Sequence, residues 1–267
     1  MNNITKIKPI KVMIADDSST VRKFVEMALT ETGVQCEFAL VSDGREAIER
    51  LESESFDIAF LDIHMPHISG VEVMGALHLK KSDTFAISMS NSLTDHSESL
   101  LKAFGAYDFL TKPFSKLDVG LVLNTFTTIK KPFDILVVDD SATVRKIVLK
   151  VLSRSIFNLN VVEAEDGHGA LDAVRRQTFR IVFADFNMPG MTGMELAEQL
   201  AVEANKSDVI LMSTEYSDAL DQAAQKVGAC AFLRKPFYPE DVDSVLHHLF
   251  GLRHPHFSKH VRFFAMT

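Results

Sequence analysis

Two aspartates stand at the same place in a motif that occurs twice, and each could act as a nucleophile. Asp62 follows a mostly apolar run of strand length, Asp185 follows a second such run, and a proline comes four residues after each. Strands that are apolar at nearly every position are typical of a parallel sheet covered on both faces. A carboxylate at the end of such a strand lies where open α/β sheets carry their chemistry. Asp62 and Asp185 are therefore the candidate reactive groups.

Each half of the chain also carries an acidic pair directly after its first apolar run, Asp16-Asp17 in one and Asp139-Asp140 in the other. If the first and third strands are neighbours in a parallel sheet, each pair converges on the reactive aspartate of its half. Three carboxylates that lie close together raise the pKa of at least one of them unless a cation is present. The sequence therefore predicts a cation at each cluster.

An all-oxygen site with open positions for water and phosphate favours Mg²⁺. The backbone carbonyl two residues beyond each reactive aspartate could complete the coordination. The predicted ligands are Asp16, Asp17, Asp62 and the carbonyl of His64 in the first half, and Asp139, Asp140, Asp185 and the carbonyl of Asn187 in the second.

A lysine and a serine accompany each cluster. Lys112 and Lys235 precede a proline after the fifth apolar run, and Ser90 and Ser213 end the fourth. A carboxylate that attacks phosphorus forms an acyl phosphate, and a metal ion with a nearby ammonium neutralises the phosphoryl oxygens. The serine hydroxyls could donate hydrogen bonds to those oxygens. The combination indicates phosphoryl transfer to aspartate.

These features repeat at a constant offset of 123 residues, which indicates two copies of one domain. Arg22 and Arg145, Gly70 and Gly193, and the other landmarks from the first acidic pair to the lysine share the offset. Short apolar runs alternate with amphipathic segments, the pattern of βα units around a parallel sheet. The predicted organisation is domain 1 over 10–128, a short linker over 129–132, domain 2 over 133–250 and a tail over 251–267.

Composition narrows the class of protein. The net charge of −8 and the pI near 5.7 argue against a nucleic-acid footprint, which would need a basic face. Neither an apolar signal region at the N-terminus nor an apolar run long enough to cross a membrane is present, so we expect no membrane insertion. Cys36 and Cys230 lack metal-type spacing and fit a reduced, cytoplasmic chain.

Both copies resemble the receiver domain of two-component response regulators. The resemblance is carried by the acidic pair with the following serine, the reactive aspartate with its Met-Pro, the strand-ending serine and the Lys-Pro-Phe run of each copy. It implies two flavodoxin-like five-stranded parallel sheets of order 2-1-3-4-5, phosphorylated by a histidine kinase or a phosphotransfer protein. It further implies that Phe109 and Phe232 change rotamer as the serine turns toward the phosphoryl group.

The copies depart from the usual pattern, and they differ from each other. The position after each serine, commonly Ala or Gly, is Asn91 in one copy and Thr214 in the other. Asn187 and Glu215 resemble the corresponding residues of fast-hydrolysing chemotaxis regulators, whereas His64 and Ser92 do not. We therefore predict that phospho-Asp185 decays faster than phospho-Asp62.

Three functions are compatible with the motifs. The first is a non-enzymatic switch that signals to an unidentified downstream protein, to a second copy in a homodimer or from one receiver to the other, since no stretch remains for an output domain unless the chain is part of a longer protein. The second is a Mg²⁺-dependent aspartyl-phosphate phosphatase of the haloacid-dehalogenase type, although that class carries Asp-x-Asp where this chain has His64 and Asn187. The third is an adaptor in which one receiver is inactive.

Overall fold

The computed structural model describes residues 8–203, 206–215, 222–224, 226–256 and 264–265. The described residues form two compact units, one within 8–126 with 255–256 and the other within 127–254 with 264–265. Each unit alternates strands with helices along the chain. The predicted α/β class is confirmed in both.

The first unit is a five-stranded parallel sheet in the predicted order, β2-β1-β3-β4-β5. Its strands are β1 (Ile10–Ala15), β2 (Cys36–Val41), β3 (Ile58–Asp62), β4 (Phe85–Ser90) and β5 (Asp108–Thr111). Its helices are α1 (Ser19–Thr30), α2 (Gly44–Ser53), α3 (Gly70–Leu79), α4 (Asp95–Ala103) and α5 (Lys116–Lys130), of which residues 127–130 are counted with the second unit.

Both faces of this sheet are buried, as the continuous apolar strands predict. Along β1, Val12 and Ile14 belong to one core cluster, and Met13 and Ala15 belong to the other. Successive side chains of a strand point to opposite faces, so a strand covered on both sides must be apolar at every position. The polar residues of these strands accordingly lie at or near strand ends, with the exception of Ser88, which is buried inside β4.

The second unit repeats this arrangement. Its strands are β6 (Phe133–Val138), β7 (Leu159–Ala164), β8 (Ile181–Asp185), β9 (Asp208–Ser213), β10 (Ala231–Arg234) and β11 (Phe264–Ala265). Its helices with full bounds are α6 (Ala142–Leu152), α7 (Gly167–Arg176), α8 (Gly193–Val202) and α9 (Pro239–Leu249). The parallel strands follow the order β7-β6-β8-β9-β10, which confirms the prediction. The two-residue β11, from the predicted tail, pairs antiparallel with β10 and extends the sheet to six strands.

Serines begin the first helix of each unit, at the point where the chain leaves the acidic pair. The side chains of Ser18 and Ser141 accept hydrogen bonds from the backbone N–H groups of Val21 and Val144. This is the N-cap arrangement, which satisfies a backbone donor that the helix itself leaves unpaired. The caps fix where each helix starts relative to the acidic residues.

The fourth helix of the second copy, predicted over 218–227, lies partly outside the described residues. Residues 222–224 and 226 are helical, and residues 216–221 and 225 are not described. Among the helices of the described ranges, none is both long and apolar enough to span a lipid bilayer.

Candidate functional site

The carboxyl ends of three strands, β1, β3 and β5, build the site of the first unit. Asp16 follows β1, Asp62 ends β3, and Lys112 follows β5. Since β1 and β3 are adjacent and in register, with Ala15 opposite Leu61, the residues that follow them meet at one edge of the sheet. The convergence predicted from the order of the strands is thus present.

One lysine joins the first acidic residue to the reactive aspartate. Nζ of Lys112 lies 2.6 Å from Oδ2 of Asp16 and 2.9 Å from Oδ1 of Asp62. The other carboxylate oxygen of Asp16 accepts a hydrogen bond from the backbone N–H of Ser18 at 2.9 Å. Asp16 is completely buried, so its charge is held by these short, charge-assisted contacts.

The second unit reproduces this geometry. Nζ of Lys235 lies 2.6 Å from Oδ2 of Asp139 and 2.7 Å from Oδ1 of Asp185, and Oδ1 of Asp139 accepts the N–H of Ser141 at 2.9 Å. The two units differ in exposure: the side chain of Asp185 is 14% exposed and that of Asp62 is 6% exposed. The second reactive aspartate is therefore the more open to solvent.

Both acidic trios have the composition and spacing of a divalent-cation site. One carboxylate oxygen from each member lies within 4.8 Å of the others, in the trio of Asp16, Asp17 and Asp62 and in that of Asp139, Asp140 and Asp185. The second member of each pair is exposed, whereas the first is buried. Three carboxylates and one ammonium leave a net charge of −2 at each site, and oxygen donors suit Mg²⁺. The residues present therefore fit the predicted metal.

Burial and charge act against each other at the reactive aspartates. Burial raises the pKa of Asp62, the neighbouring acids raise it further, and Lys112 opposes both effects. Burial likewise raises the pKa of Asp185, with Lys235 opposing it. Burial alone would lower the pKa of Lys112, but its hydrogen bonds to Asp16 and Asp62 outweigh that effect and leave the pKa raised. A cation would relieve the destabilisation of the charged carboxylates.

The serine and the lysine of each unit are linked through the backbone. The N–H of Lys112 donates to the carbonyl of Ser90 at 2.8 Å, and the N–H of Lys235 donates to that of Ser213 at 2.7 Å. Both serines are buried at the ends of β4 and β9. The hydroxyl of Ser90 accepts the N–H of Ser92 at 3.4 Å, and that of Ser213 accepts the N–H of Glu215 at 3.1 Å.

The remaining predicted residues lie around these clusters. His64 lines a cleft of about 660 Å³ together with the acidic trio and Lys112, whereas Asn187 is an exposed residue two positions after β8. Phe109 on β5 and Phe232 on β10 are buried in the core of their units. The metal-ligand role of His64 and Asn187 and the switch role of the two phenylalanines stay predictions.

Sequence reasoning assigned no role in the site to several residues that line or support it. The cleft of the first unit has an apolar wall of Val21, Phe24 and Phe114, and the rings of Phe24 and Phe114 lie 5.9 Å apart. Arg22 and Arg145 donate to backbone carbonyls of the acidic turns. The only signal for the arginines was their recurrence at the same offset as the aspartates.

Known proteins match both units. The model of the response regulator receiver domain matches residues 12–123 and 135–247. A chemotaxis protein CheY homolog of Campylobacter jejuni subsp. jejuni (strain 81-176) is 34% identical over 120 residues, which is 44% of this chain and 92% of that protein. Two solved structures of a two-component system response regulator/GGDEF domain protein match with TM-scores of 0.58 and 0.59, at 25% and 26% identity. They cover 90% and 91% of this chain and 99% and 98% of theirs.

Proposed function

The chain belongs to the family of response regulator receiver domains, and from this premise we propose that it accepts phosphoryl groups on Asp62 and Asp185 and transmits the change to a partner protein. A histidine kinase or a phosphotransfer protein is the donor. The observation that carries the proposal is the lysine bridge between the first acidic residue and the reactive aspartate, present in both units.

The residues of each site have separate tasks in the transfer. A carboxylate oxygen of Asp62 attacks phosphorus, the new O–P bond forms, and the bond to the donor breaks with its electron pair leaving on the donor. Lys112 is placed to contact the phosphoryl oxygens as the O–P bond forms, because its ammonium already contacts the attacking carboxylate. Mg²⁺, held by Asp16, Asp17 and Asp62, would supply further neutralisation of the phosphoryl charge. Lys235 and the second trio do the same for Asp185.

Ser90 and Ser213 respond to phosphorylation of the aspartate in their unit. Each hydroxyl accepts a hydrogen bond from the backbone, and its own proton can be donated to a phosphoryl oxygen. Movement of the serine changes the packing around Phe109 or Phe232, on the strand next to it. A phosphoryl group adds about −1.5 to −2 charges, which is enough to bias such a two-state element.

On this proposal the protein is a switch and not an enzyme, and its downstream partner is a protein, with a homodimer among the candidates. The Asp-x-Asp motif of the phosphatase alternative is missing at both sites, since His64 and Asn187 occupy its third position. Two intact clusters give no specific support to the adaptor alternative. A cytoplasmic location agrees with Cys36 and Cys230, which are free thiols.

Mass spectrometry of the intact protein after treatment with acetyl phosphate and Mg²⁺ tests the proposal. We expect two phosphoryl additions to the unsubstituted chain, one in Asp62→Asn or Asp185→Asn, and none in the double variant. Asp83→Asn, which changes an exposed aspartate, is the matched control and should keep both additions. Phosphorylation that survives in the double variant would contradict the assignment, and steady turnover of p-nitrophenyl phosphate would favour the phosphatase.

A further inference from the structure

In the first unit, an arginine on α1 closes the turn that carries the acidic pair. One guanidinium nitrogen of Arg22, Nη1, lies 2.5 Å from the backbone carbonyl oxygen of Asp16 and 3.2 Å from that of Asp17. The helix start is fixed by the Ser18 cap, and the N–H of Arg22 donates to the carbonyl of Ser18. The arginine therefore ties the first turn of α1 to the main chain of the two acidic residues.

In the second unit the corresponding arginine contacts the carbonyl of the first acidic residue, and its guanidinium also contacts two glutamates. Nη1 of Arg145 donates to the carbonyl of Asp139 at 2.7 Å. Its Nε lies 3.1 Å from Glu163, and its Nη2 lies 3.5 Å from Glu165. The side chain of Arg145 is 10% exposed. A planar guanidinium can hold several acceptors at fixed angles, which a lysine ammonium cannot do.

The anchor has no counterpart in the first unit. The repeat offset places Leu40 at the position of Glu163 and Ser42 at that of Glu165. Strand register agrees, because Leu40 pairs with Ile14 as Glu163 pairs with Val137. Neither Leu40 nor Ser42 carries a charge that could hold the guanidinium. Arg22 thus lacks the pair of carboxylates that orients Arg145.

The acidic turn needs such support because its carboxylates repel one another. Asp16 contacts Lys112 and Ser18 through its side chain, whereas Arg22 fixes the main chain from which that side chain projects. Residues that orient metal ligands commonly change metal affinity by about 10- to 100-fold when they are removed. An arginine that donates to the main-chain carbonyl of a ligand residue, half-buried as Arg22 or buried as Arg145, belongs to this class.

We infer that Arg22 and Arg145 are positioning residues for the metal-binding turns, and that Glu163 and Glu165 make the turn of the second unit the better preorganised of the two. The inference rests on the proposed function, since it needs Mg²⁺ to bind at both acidic trios. The second unit is then the tighter Mg²⁺ site.

Titration calorimetry with MgCl₂ on the full chain tests this inference one site at a time. Asp17→Asn isolates the second site, and Asp140→Asn isolates the first. Arg145→Gln in the first background and Arg22→Gln in the second should each weaken Mg²⁺ binding about 10-fold. Lys146→Gln and Lys23→Gln, which alter exposed neighbours on the same helices, are the matched controls and should stay at the Kd of their parents.

Further variants and thermal melts distinguish a positioning role of Arg145 from a purely structural one. Glu163→Leu copies the first unit at an exposed position and should weaken binding at the second site severalfold, and Arg145→Lys should retain part of the affinity that Arg145→Gln loses. Thermal melts without Mg²⁺ report folding separately from affinity.

The inference would be overturned if Arg145→Gln bound Mg²⁺ as tightly as its Asp17→Asn parent. If Arg145→Gln does not fold, the same result in Glu163→Leu would overturn it. Equal Kd values for the two parents would overturn its second part. Failure of both parents to bind Mg²⁺ would overturn the proposed function and this inference with it.

Discussion

The reactive aspartates are held in a balance between burial and a single ammonium. Burial disfavours the charged carboxylate, and the lysine contact at 2.9 Å in one unit and 2.7 Å in the other favours it. A carboxylate in this state is in place for attack but poorly solvated. This condition suits a nucleophile whose attack also places charge near the same ammonium.

Hydrolysis of the two acyl phosphates should proceed at different rates. Asp185 is the more exposed acceptor, and Asn187 and Glu215 stand where the first unit has His64 and Ser92. We expect phospho-Asp185 to decay faster because water reaches it more readily. In addition, Glu215, whose backbone N–H donates to the hydroxyl of Ser213, brings a carboxylate to the position that Ser92 occupies in the first unit. The lifetime of each phosphoryl group is measured on the other acceptor's Asp→Asn variant.

An exchange of residues supplies the control for that measurement. Asn187→His with Glu215→Ser should lengthen the lifetime of phospho-Asp185 toward that of phospho-Asp62. Equal lifetimes in the two acceptor variants, or a longer one at Asp185, would contradict the prediction.

Sequence reasoning identified the residues that combine an unusual type with a fixed place at a strand end. Asp62 and Lys112 could be found in this way because strand order alone brings them to one edge. Arg22 could not, since a charged residue on an amphipathic helix is usually solvated, and only the three-dimensional path of α1 shows that its guanidinium turns back to the carbonyl of Asp16. The role of an arginine depends on where its long side chain reaches.

At the scale of elements, α3 packs so closely on the end of β3 that only glycine fits at its first position. A Cβ added to Gly70 would overlap the carbonyl oxygen of Asp62, and one added to Gly193 would overlap that of Asp185. Gly70→Ala should therefore lower the free energy of unfolding by about 1–3 kcal/mol, as overpacking commonly does. It should also slow phosphorylation of Asp62, because β3 must move. Urea unfolding and single-site phosphorylation measure the two effects.

Gly120→Ala is the matched control for this substitution. Gly120 lies within α5 with open space around its Cα, so alanine there should stabilise the chain by about 0.5–1 kcal/mol. Opposite signs for the two variants are expected. A neutral or stabilising Gly70→Ala would show that the contact is less tight than the structure indicates.

A half-buried carboxylate also links α9 to the turn after α6. Asp243 accepts hydrogen bonds from the hydroxyl of Ser155 at 2.5 Å and from the N–H of Ile156 at 3.2 Å. Burial raises its pKa to about 6, with those hydrogen bonds opposing the rise and Glu240 adding to it. Since the folded-state pKa is raised, stability from this group is fully present below its ordinary pKa and is lost as the pH rises through about 6.

Asp243→Asn should remove this loss of stability at high pH, because asparagine does not ionise and keeps an oxygen acceptor. We expect the variant to melt several degrees above the unsubstituted protein at pH 8 and by a smaller margin at pH 5, by differential scanning calorimetry. Exposed Glu198→Gln should give the same small difference at both pH values. A difference for Asp243→Asn that does not grow with pH would contradict the assigned shift.

Strand order and element type were predictable, whereas some boundaries were not. The apolar pattern predicts the fifth helix of the first copy over 115–125, which is too short, because α5 continues to Lys130 and buries Phe126 and Ile129. Thr127 and Thr128 lower the local helix propensity, but burial of the apolar residues beside them outweighs that preference. Local composition does not show which side chains of a terminal segment will find a core.

Across the whole molecule, the exact repeat supplied more information than any single motif. One Asp-Asp pair is ordinary at a helix start, and one Lys-Pro is ordinary in a turn, but their recurrence at one offset with the reactive aspartates is not. The repeat could not show that the two reactive aspartates differ in exposure, because identical residues at one offset carry no information about the solvent around them. It also could not show β11, which pairs a tail segment without a counterpart in the first copy.

If both acidic trios bind Mg²⁺ as proposed, the stability of the whole molecule should depend on the Mg²⁺ concentration. Each site carries a net charge of −2 before a cation binds, and a ligand that binds only the folded state stabilises it by mass action. Above the Kd, every tenfold increase in Mg²⁺ should add about 1.4 kcal/mol to the unit that binds it, or roughly 5 °C in its melting temperature. Thermal melts over a series of MgCl₂ concentrations at constant ionic strength measure this dependence.

The double variant Asp17→Asn with Asp140→Asn should melt higher than the unsubstituted chain without Mg²⁺, because repulsion is reduced, and should lose the dependence on Mg²⁺. A slope that is unchanged in the double variant would place the cation elsewhere.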